Sequence, residues 1–377
     1  MPTDSSRFLG SEAAHATTGT PRAVRRLYCV YERILALAAI ALCTSPLACA
    51  GASDAASPPQ SVLGAGSGLN HVSILVSDLR KVEALFENQL GFNVQPAGRF
   101  PDGLENAVVR FSDHTYLEFL AVYDPKKAAS SDEAVFLKKH EGADGFGLEM
   151  GSAERALALL RSRGIGASIS TTTSADYTEP GLKGPSTWLW RDILLPRETP
   201  GSPFLVEYNR AVRDARARSD PVGERRREQS RVHANGALRL SCVWVATKDL
   251  DASTKLYQRL GFVAGRAVDM PELSASGREI AAGNGLILLL TAKAGAGGSG
   301  PVSEFLAQHD NGVMGVTIEV EDLARAHEYL KAHGAGVLDP RLPTQNDLLI
   351  PAAIAHGLWL RLSRPHTPVG NGPRDQQ

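Results

Sequence analysis

The chain has 377 residues, long enough for two ordinary domains beside a leader and a tail, since single cores stop growing near ~150 to 250 residues. Its 40 Lys and Arg stand against 41 Asp and Glu, so no field of one sign argues for nucleic acid or an acidic partner, and a small-molecule ligand fits better. The 43% apolar share, with 36 glycines and 22 prolines, describes a globular chain of short elements joined by many turns.

The first feature in chain order is Arg22, Arg25, Arg26 and Arg33 around the start of an apolar run from Ile34 to Ala41, which continues toward Leu47-Ala48. At about 15 residues the run is shorter than the ~20 a spanning helix needs, and it has the layout of a signal peptide. Ala48-Cys49-Ala50 supplies the small residues of a cleavage site, and Cys49 followed by the Ala/Gly/Ser-rich stretch to Ser57 and by Pro58-Pro59 equally suits a lipidated cysteine on a tether. Residues 1–59 are therefore expected to be a signal peptide and low-complexity tether. The protein would be exported, either free in the periplasm or anchored to a membrane through Cys49. Cys29, Cys43 and Cys49 lie in this leader, so Cys242 is the only cysteine of the body and no internal disulfide forms there.

From there the chain repeats one plan four times: a β-rich run, a polar turn, an amphipathic helix, a glycine and further strands. Gly91, Gly164, Gly261 and Gly334 follow the four helices, 73 residues apart within each pair, where a left-handed residue would stop each helix. In the first helix Leu79, Val82, Leu85, Phe86 and Leu90 share one face. Strands are predicted at Ala107–Phe111 and Tyr116–Val122 around the turn Ser112-Asp113-His114, giving the order β, α, β, β, β. The second unit gives Phe146–Met150, a helix from Ser152, Thr187–Leu194 and Phe204–Tyr208. The fold class is thus α+β, with tandem βαβββ units, two to a domain and two domains to the chain. Residues 65–212 form the first domain, 213–235 a charged linker, helical or flexible, 236–366 the second domain, and 367–377 a disordered tail. Interleaved acids argue against reading the linker arginines as a nucleic-acid arm.

This plan and its residues resemble the vicinal-oxygen-chelate superfamily, the fold group of glyoxalase I, bleomycin-resistance proteins and extradiol dioxygenases. The resemblance rests on Asn70-His71-Val72-Ser73-Ile74-Leu75-Val76 with Asp78-Leu79 and Leu90-Gly91-Phe92, then on Glu105-Asn106-Ala107, Thr115 to Leu120, Trp190-Arg191 and Pro203 to Tyr208. It covers most of residues 68–210, and the second half only in outline. It implies a curved sheet with a site on its concave face, and, in metal-dependent members, one ligand on the first and one on the fourth strand of each unit. Carried over, those positions are His71, Glu118 and Glu207, while the remaining one falls on or next to Phe146.

Strand alternation places His71, Ser73 and Leu75 on one face, and Tyr116, Glu118, Leu120 and Val122 on one face. A carboxylate among Tyr and Leu must be paired, hydrogen-bonded or bound to a cation. One imidazole and two carboxylates suit a divalent Fe, Mn, Ni or Zn, with Glu118 and Glu207 also the catalytic carboxylates and Arg191, Tyr116, Phe146 and Asn106 substrate-binding. Three readings stand: a metal-dependent lyase, isomerase or ring-cleaving dioxygenase, a metal-free protein that sequesters a small molecule, or an interaction module built on a worn copy of the fold. His114 and His140 read as surface or turn residues, and Trp188 and Trp190 as a shared core face. In the second domain Cys242 and Leu288 occupy the ligand positions, so that half reads as a degenerate copy, with Cys242 packed in the core. A homodimer is among the expected assemblies.

Overall fold

The structure is a computed structural model that describes residues 60–177, 187–293, 299–335 and 347–365. The leader with its three cysteines and the 367–377 tail lie outside the described residues. The chain divides into the units Met1–Ala55 and Ala56–Gln377, and the second holds everything that follows. No described helix is long and apolar enough to cross a membrane.

The first unit runs β1 (Gly68–Leu75), α1 (Leu79–Phe86), β2 (Val94–Arg99), β3 (Leu104–Arg110) and β4 (Tyr116–Val122). After a short α2 (Asp132–Leu137), the second runs β5 (Gly142–Glu149), α3 (Ala153–Ser162), β6 (Ser168–Thr173), β7 (Trp188–Leu194) and β8 (Pro203–Tyr208). The eight strands form one sheet in the order β2-β3-β4-β1-β5-β8-β7-β6. β1 pairs parallel with β4 and antiparallel with β5, which pairs parallel with β8, so the first and fourth strands of both units lie at the centre.

Two helices, α4 (Arg210–Ser219) and α5 (Pro221–Gln229), form the charged linker. The second domain follows as β9 (Ala237–Ala246), α6 (Leu250–Arg259), β10 (Val263–Met270), β11 (Ala275–Ala282) and β12 (Gly285–Ala292). It continues with α7 (Pro301–Gln308), β13 (Gly312–Val320), α8 (Leu323–Ala332), β14 (Leu348–Ile350) and β15 (Trp359–Ser363). Its sheet order, β10-β11-β12-β9-β13-β15-β14, repeats the first. The position matching β6 falls in 336–346, outside the described residues.

Local signals explain the repeated helices. Asp78, Ser152, Asp249 and Asp322 each cap α1, α3, α6 and α8 by accepting a first-turn N–H, a contact that stabilises a helix by about 1 kcal/mol. All four predicted glycines sit at positive φ, between 67° and 88°, where any other residue would be strained. Val82, Phe86 and Leu90 are buried as the stripe requires, with Leu79 and Leu85 packed at its margin.

One continuous core joins the domains. Val72, Ile74, Leu117, Phe119, Phe146 and Leu148 of the first sheet belong to the same cluster as Val243, Val245, Ile287, Val316 and Ile318 of the second. β5 touches β13 and β1 touches β9. Each sheet therefore has a second face turned away from this shared core. His140, read as a surface residue, instead meets His309 of the second domain at 3.1 Å; His114 is exposed in its turn at φ 73°.

Candidate functional site

Alternation along β1 and β4 turns His71, Ser73, Tyr116 and Glu118 away from the shared core, and the parallel register sets His71 beside Tyr116 and Ser73 beside Glu118. In β3, Asn106 and Val108 face the same way, because Ala107 and Val109 are in the core. A β-bulge between Leu69 and His71 opposite β5 leaves Asn70 as an extra residue. That irregularity lets the Asn70 side chain join His71 on the concave face instead of alternating to the other.

These groups form one hydrogen-bonded cluster. Glu118 Oε1 accepts from Asn106 Nδ2 at 2.7 Å, and Oε2 accepts from Ser73 Oγ at 3.0 Å. Asn106 Oδ1 accepts from the Gly98 N–H at 2.7 Å and from the Tyr177 hydroxyl at 3.3 Å, which fixes its amide. On the other side Asn70 Nδ2 donates to Glu149 Oε2 at 3.3 Å, so Asn70 Oδ1 is left as the acceptor for the Tyr208 hydroxyl at 3.0 Å and for His71 Nδ1 at 2.8 Å. Tyr208 in turn accepts from the Tyr116 hydroxyl at 2.9 Å.

The tautomer of His71 follows from this. Nδ1 faces an amide oxygen and must carry the proton, and burial holds the imidazole neutral by lowering its pKa to about 4, against the opposing pull of Glu118. Its Nε2 lone pair then faces Glu118 Oε2 at 3.8 Å. The two acceptors converge, so that one hydrogen-bond donor approaching them from the side could reach both. Tyr116 stacks on the imidazole at 4.4 Å between centroids, and Phe204 meets it edge-on at 5.2 Å. Burial pushes the Tyr116 and Tyr208 hydroxyls well above their usual pKa, so both are protonated donors.

The structure brings His71, Glu118, Tyr116 and Asn106 together, and places three other predicted residues elsewhere. Glu207 faces the helix side of the sheet, where Oε2 accepts the Ala153 N–H at 3.2 Å and lies 3.8 Å from Arg191. Arg191 is on that side too, ion-paired with Glu154 and 4.4 Å above the Trp188 ring. The reason is strand parity: Phe204 and Tyr208 take the concave positions on β8, so Glu207 takes the opposite one. Phe146 is fully buried in the shared core, and the residue beside His71 in register is Gly147. There the imidazole lies flat over the backbone, and a Cβ would overlap its ring atoms. Trp188 and Trp190 do not share a face, because a bulge at Leu189 separates them. Trp190 packs on Tyr177, 5.1 Å away.

Sequence reasoning missed Asn70, Gly147 and Tyr208. No pattern announces the bulge that recruits Asn70; Tyr208 was one residue from the position chosen, and only the pairing of β8 decides between them.

As a metal site the donor set falls short. At the four ligand positions the concave face offers His71, Glu118, Gly147 and Tyr208, and among the described residues no group of three or more His, Cys, Asp or Glu is arranged to hold an ion. These residues do not fit the resident metal that the fold group implies. A surface cleft of about 380 Å³ lies apart from the cluster, against α2, between Val122, Leu137 and Lys138.

The corresponding face of the second domain is filled. Register places Cys242 where His71 stands and Leu288 where Glu118 stands. Cys242, Trp244, Leu288, Leu290 and Met314 form a separate apolar cluster. Trp244 is fully buried and donates its indole N–H to Thr317 Oγ1 at 2.9 Å. Burial pushes the Cys242 thiol up to about 12, so it packs as a small apolar side chain rather than reacting as a thiolate.

Two family models match the chain: one described as a glyoxalase-like domain over residues 69–261, just over half of its length, and one described as the glyoxalase/bleomycin resistance protein/dioxygenase superfamily over residues 239–350. No curated protein matches. Among solved structures, a mutant of 4-hydroxymandelate synthase from Streptomyces coelicolor superposes with a TM-score of 0.53 at 14% identity, covering 80% of this chain and 94% of that one. A hypothetical protein from Staphylococcus aureus gives 0.51 at 12% identity, covering 79% and 98%. At these identities the likeness is one of fold, and it extends over both domains.

Proposed function

Because this chain belongs to the glyoxalase-like domain family, we propose that its first domain takes up a small oxygenated compound on the concave face, where Glu118 acts as acceptor and general base. The observation that supports this most is the convergence of the His71 Nε2 lone pair and Glu118 Oε2 across 3.8 Å. A substrate O–H, or an acidic C–H beside a carbonyl, would be presented to Glu118 Oε2 with the His71 imidazole alongside. Glu118, already held by Ser73 and Asn106, would take the proton without reorienting. The protonated Tyr116 and Tyr208 hydroxyls stand nearby as part of the same hydrogen-bonded cluster. The reaction class is proton transfer of the isomerase or lyase kind. The leader and Cys49 support an extracytoplasmic location, released or tethered.

A second reading, sequestration of a ligand without turnover, is supported by the enclosure of the site: the Glu118 side chain is only 14% exposed, so product exit is constrained.

The test is solvent-deuterium exchange, followed by NMR, on a panel of hydroxy-carbonyl and thioester compounds. Exchange that falls by roughly a hundredfold or more in Glu118→Gln, with a smaller loss in Ser73→Ala, supports the base. Tight binding with no exchange in the wild type would move the protein to the sequestering reading. No binding at all would remove the site.

A further inference from the structure

The linker helices carry more arginine than the fold uses. From Arg210 to Arg231 the chain has eight arginines against Asp214, Asp220, Glu224 and Glu228. Neither α4 nor α5 has a buried residue, and their main contact is with each other. At the roots of the pair, Arg210 reaches Glu149 at 3.6 Å and Arg231 donates to the Phe111 carbonyl at 2.7 Å. Arg227 pairs with Glu224 at 2.6 Å and Asp220 caps α5 through the Gly223 N–H at 2.9 Å. Those contacts hold the hairpin and neutralise most of its carboxylates. Arg213, Arg218, Arg225 and Arg226 remain exposed and without an ion-pair partner among the described residues, with Asp214 the one acid left beside them.

Two large apolar side chains bracket α5 in the open. Val222, in the first turn of α5, is 50% exposed, and Val232, just past the end of α5, is 73% exposed. Packing explains neither. Arg225 and Arg226 stand three and four residues past Val222, on its side of α5, and free guanidinium groups beside an exposed valine suit a phosphate-bearing surface with an apolar layer beneath it: arginine forks match phosphate oxygens, and the valines would enter the headgroup boundary.

We propose that the α4–α5 hairpin is a docking surface for an anionic membrane, which would hold the body of a tethered or released protein against the lipid. A nucleic acid would use the arginines but leave the valines idle.

Residues 56–377, which hold every element and the whole core described above, are sedimented with phosphatidylcholine vesicles with and without phosphatidylglycerol. Binding is expected only to the anionic vesicles, weakening with salt. It should fall roughly tenfold or more in the variant Arg213→Gln/Arg218→Gln/Arg225→Gln/Arg226→Gln, and also in Val222→Asp/Val232→Asp. All six positions are exposed, so thermal melts should match the wild type and exclude a folding defect. Equal sedimentation of wild type and variants, or none with either vesicle, overturns the proposal. Retention of duplex DNA without vesicle binding also overturns it and gives the arginines to nucleic acid.

Discussion

The same register positions carry opposite contents in the two domains. His71 and Glu118 of the first correspond to Cys242 and Leu288 of the second, Ser73 to Trp244, and Gly147 to Thr317. Burial acts on both first-strand groups in the same sense, toward the neutral form: it lowers the His71 imidazole to about 4 and raises the Cys242 thiol to about 12. The outcomes differ because neutral imidazole keeps a lone pair aimed at a carboxylate, whereas the neutral thiol, packed among Leu288 and Trp244, donates to the Val243 carbonyl at 3.7 Å. The scaffold repeats; one face of it decides between a site and a plug.

Acid should separate the domains most. His71 and His233 each have folded pKa values lowered from 6.5 to about 4 by burial. The unfolded chain therefore binds more protons than the folded one between these values. Stability contributed by the neutral imidazoles is full above pH 6.5 and lost as pH falls toward 4. The loss is on the order of 3 kcal/mol per imidazole, and urea titrations from pH 7 to 4 should show it. Replacing His71 and His233 with Gln should flatten that slope, since neither histidine lies in the filled apolar face of the second domain.

Trp244→Ala strikes the other half. Removing a fully buried indole should cost about 3 to 5 kcal/mol, while ligand binding by whatever protein remains folded stays unchanged. Loss of binding in parallel with stability would show that the plug supports the site directly. Gly147→Ala is the smallest change: its methyl overlaps the imidazole and should cost about 2 kcal/mol as overpacking. Binding should suffer more than that stability loss implies, because the displaced His71 loses its alignment with Glu118. Thr317 fills the matching position beside Cys242 without such a clash.

Much of the scaffold was legible in the sequence because it depends on local chemistry. The four glycines and the strand Tyr116–Val122 follow from positive φ and alternation. The pairing of His71 with Glu118, and of Cys242 and Leu288 as their counterparts, came instead from the family resemblance, which alternation alone does not supply. What stayed hidden depends on partners distant in sequence. The bulge at Asn70, the bulge at Leu189 and the parity of β8 are set by pairing with β5, β6 and β7. One residue of offset was enough to send Glu207 and Arg191 to the helix side and bring Tyr208 in. The helix α2 is only six residues long and carries no periodic signal.

The unbroken apolar cluster from Val72 and Ile74 to Val243 and Val245 makes the halves a single thermodynamic body. Cut apart, each would present a wall of valine, isoleucine and phenylalanine to water. The second half is then neither spare nor free to drift as a whole: its inner wall is tied to its partner's folding. Heat should melt the pair as one, each half serving as the buttress against which the other holds its shape.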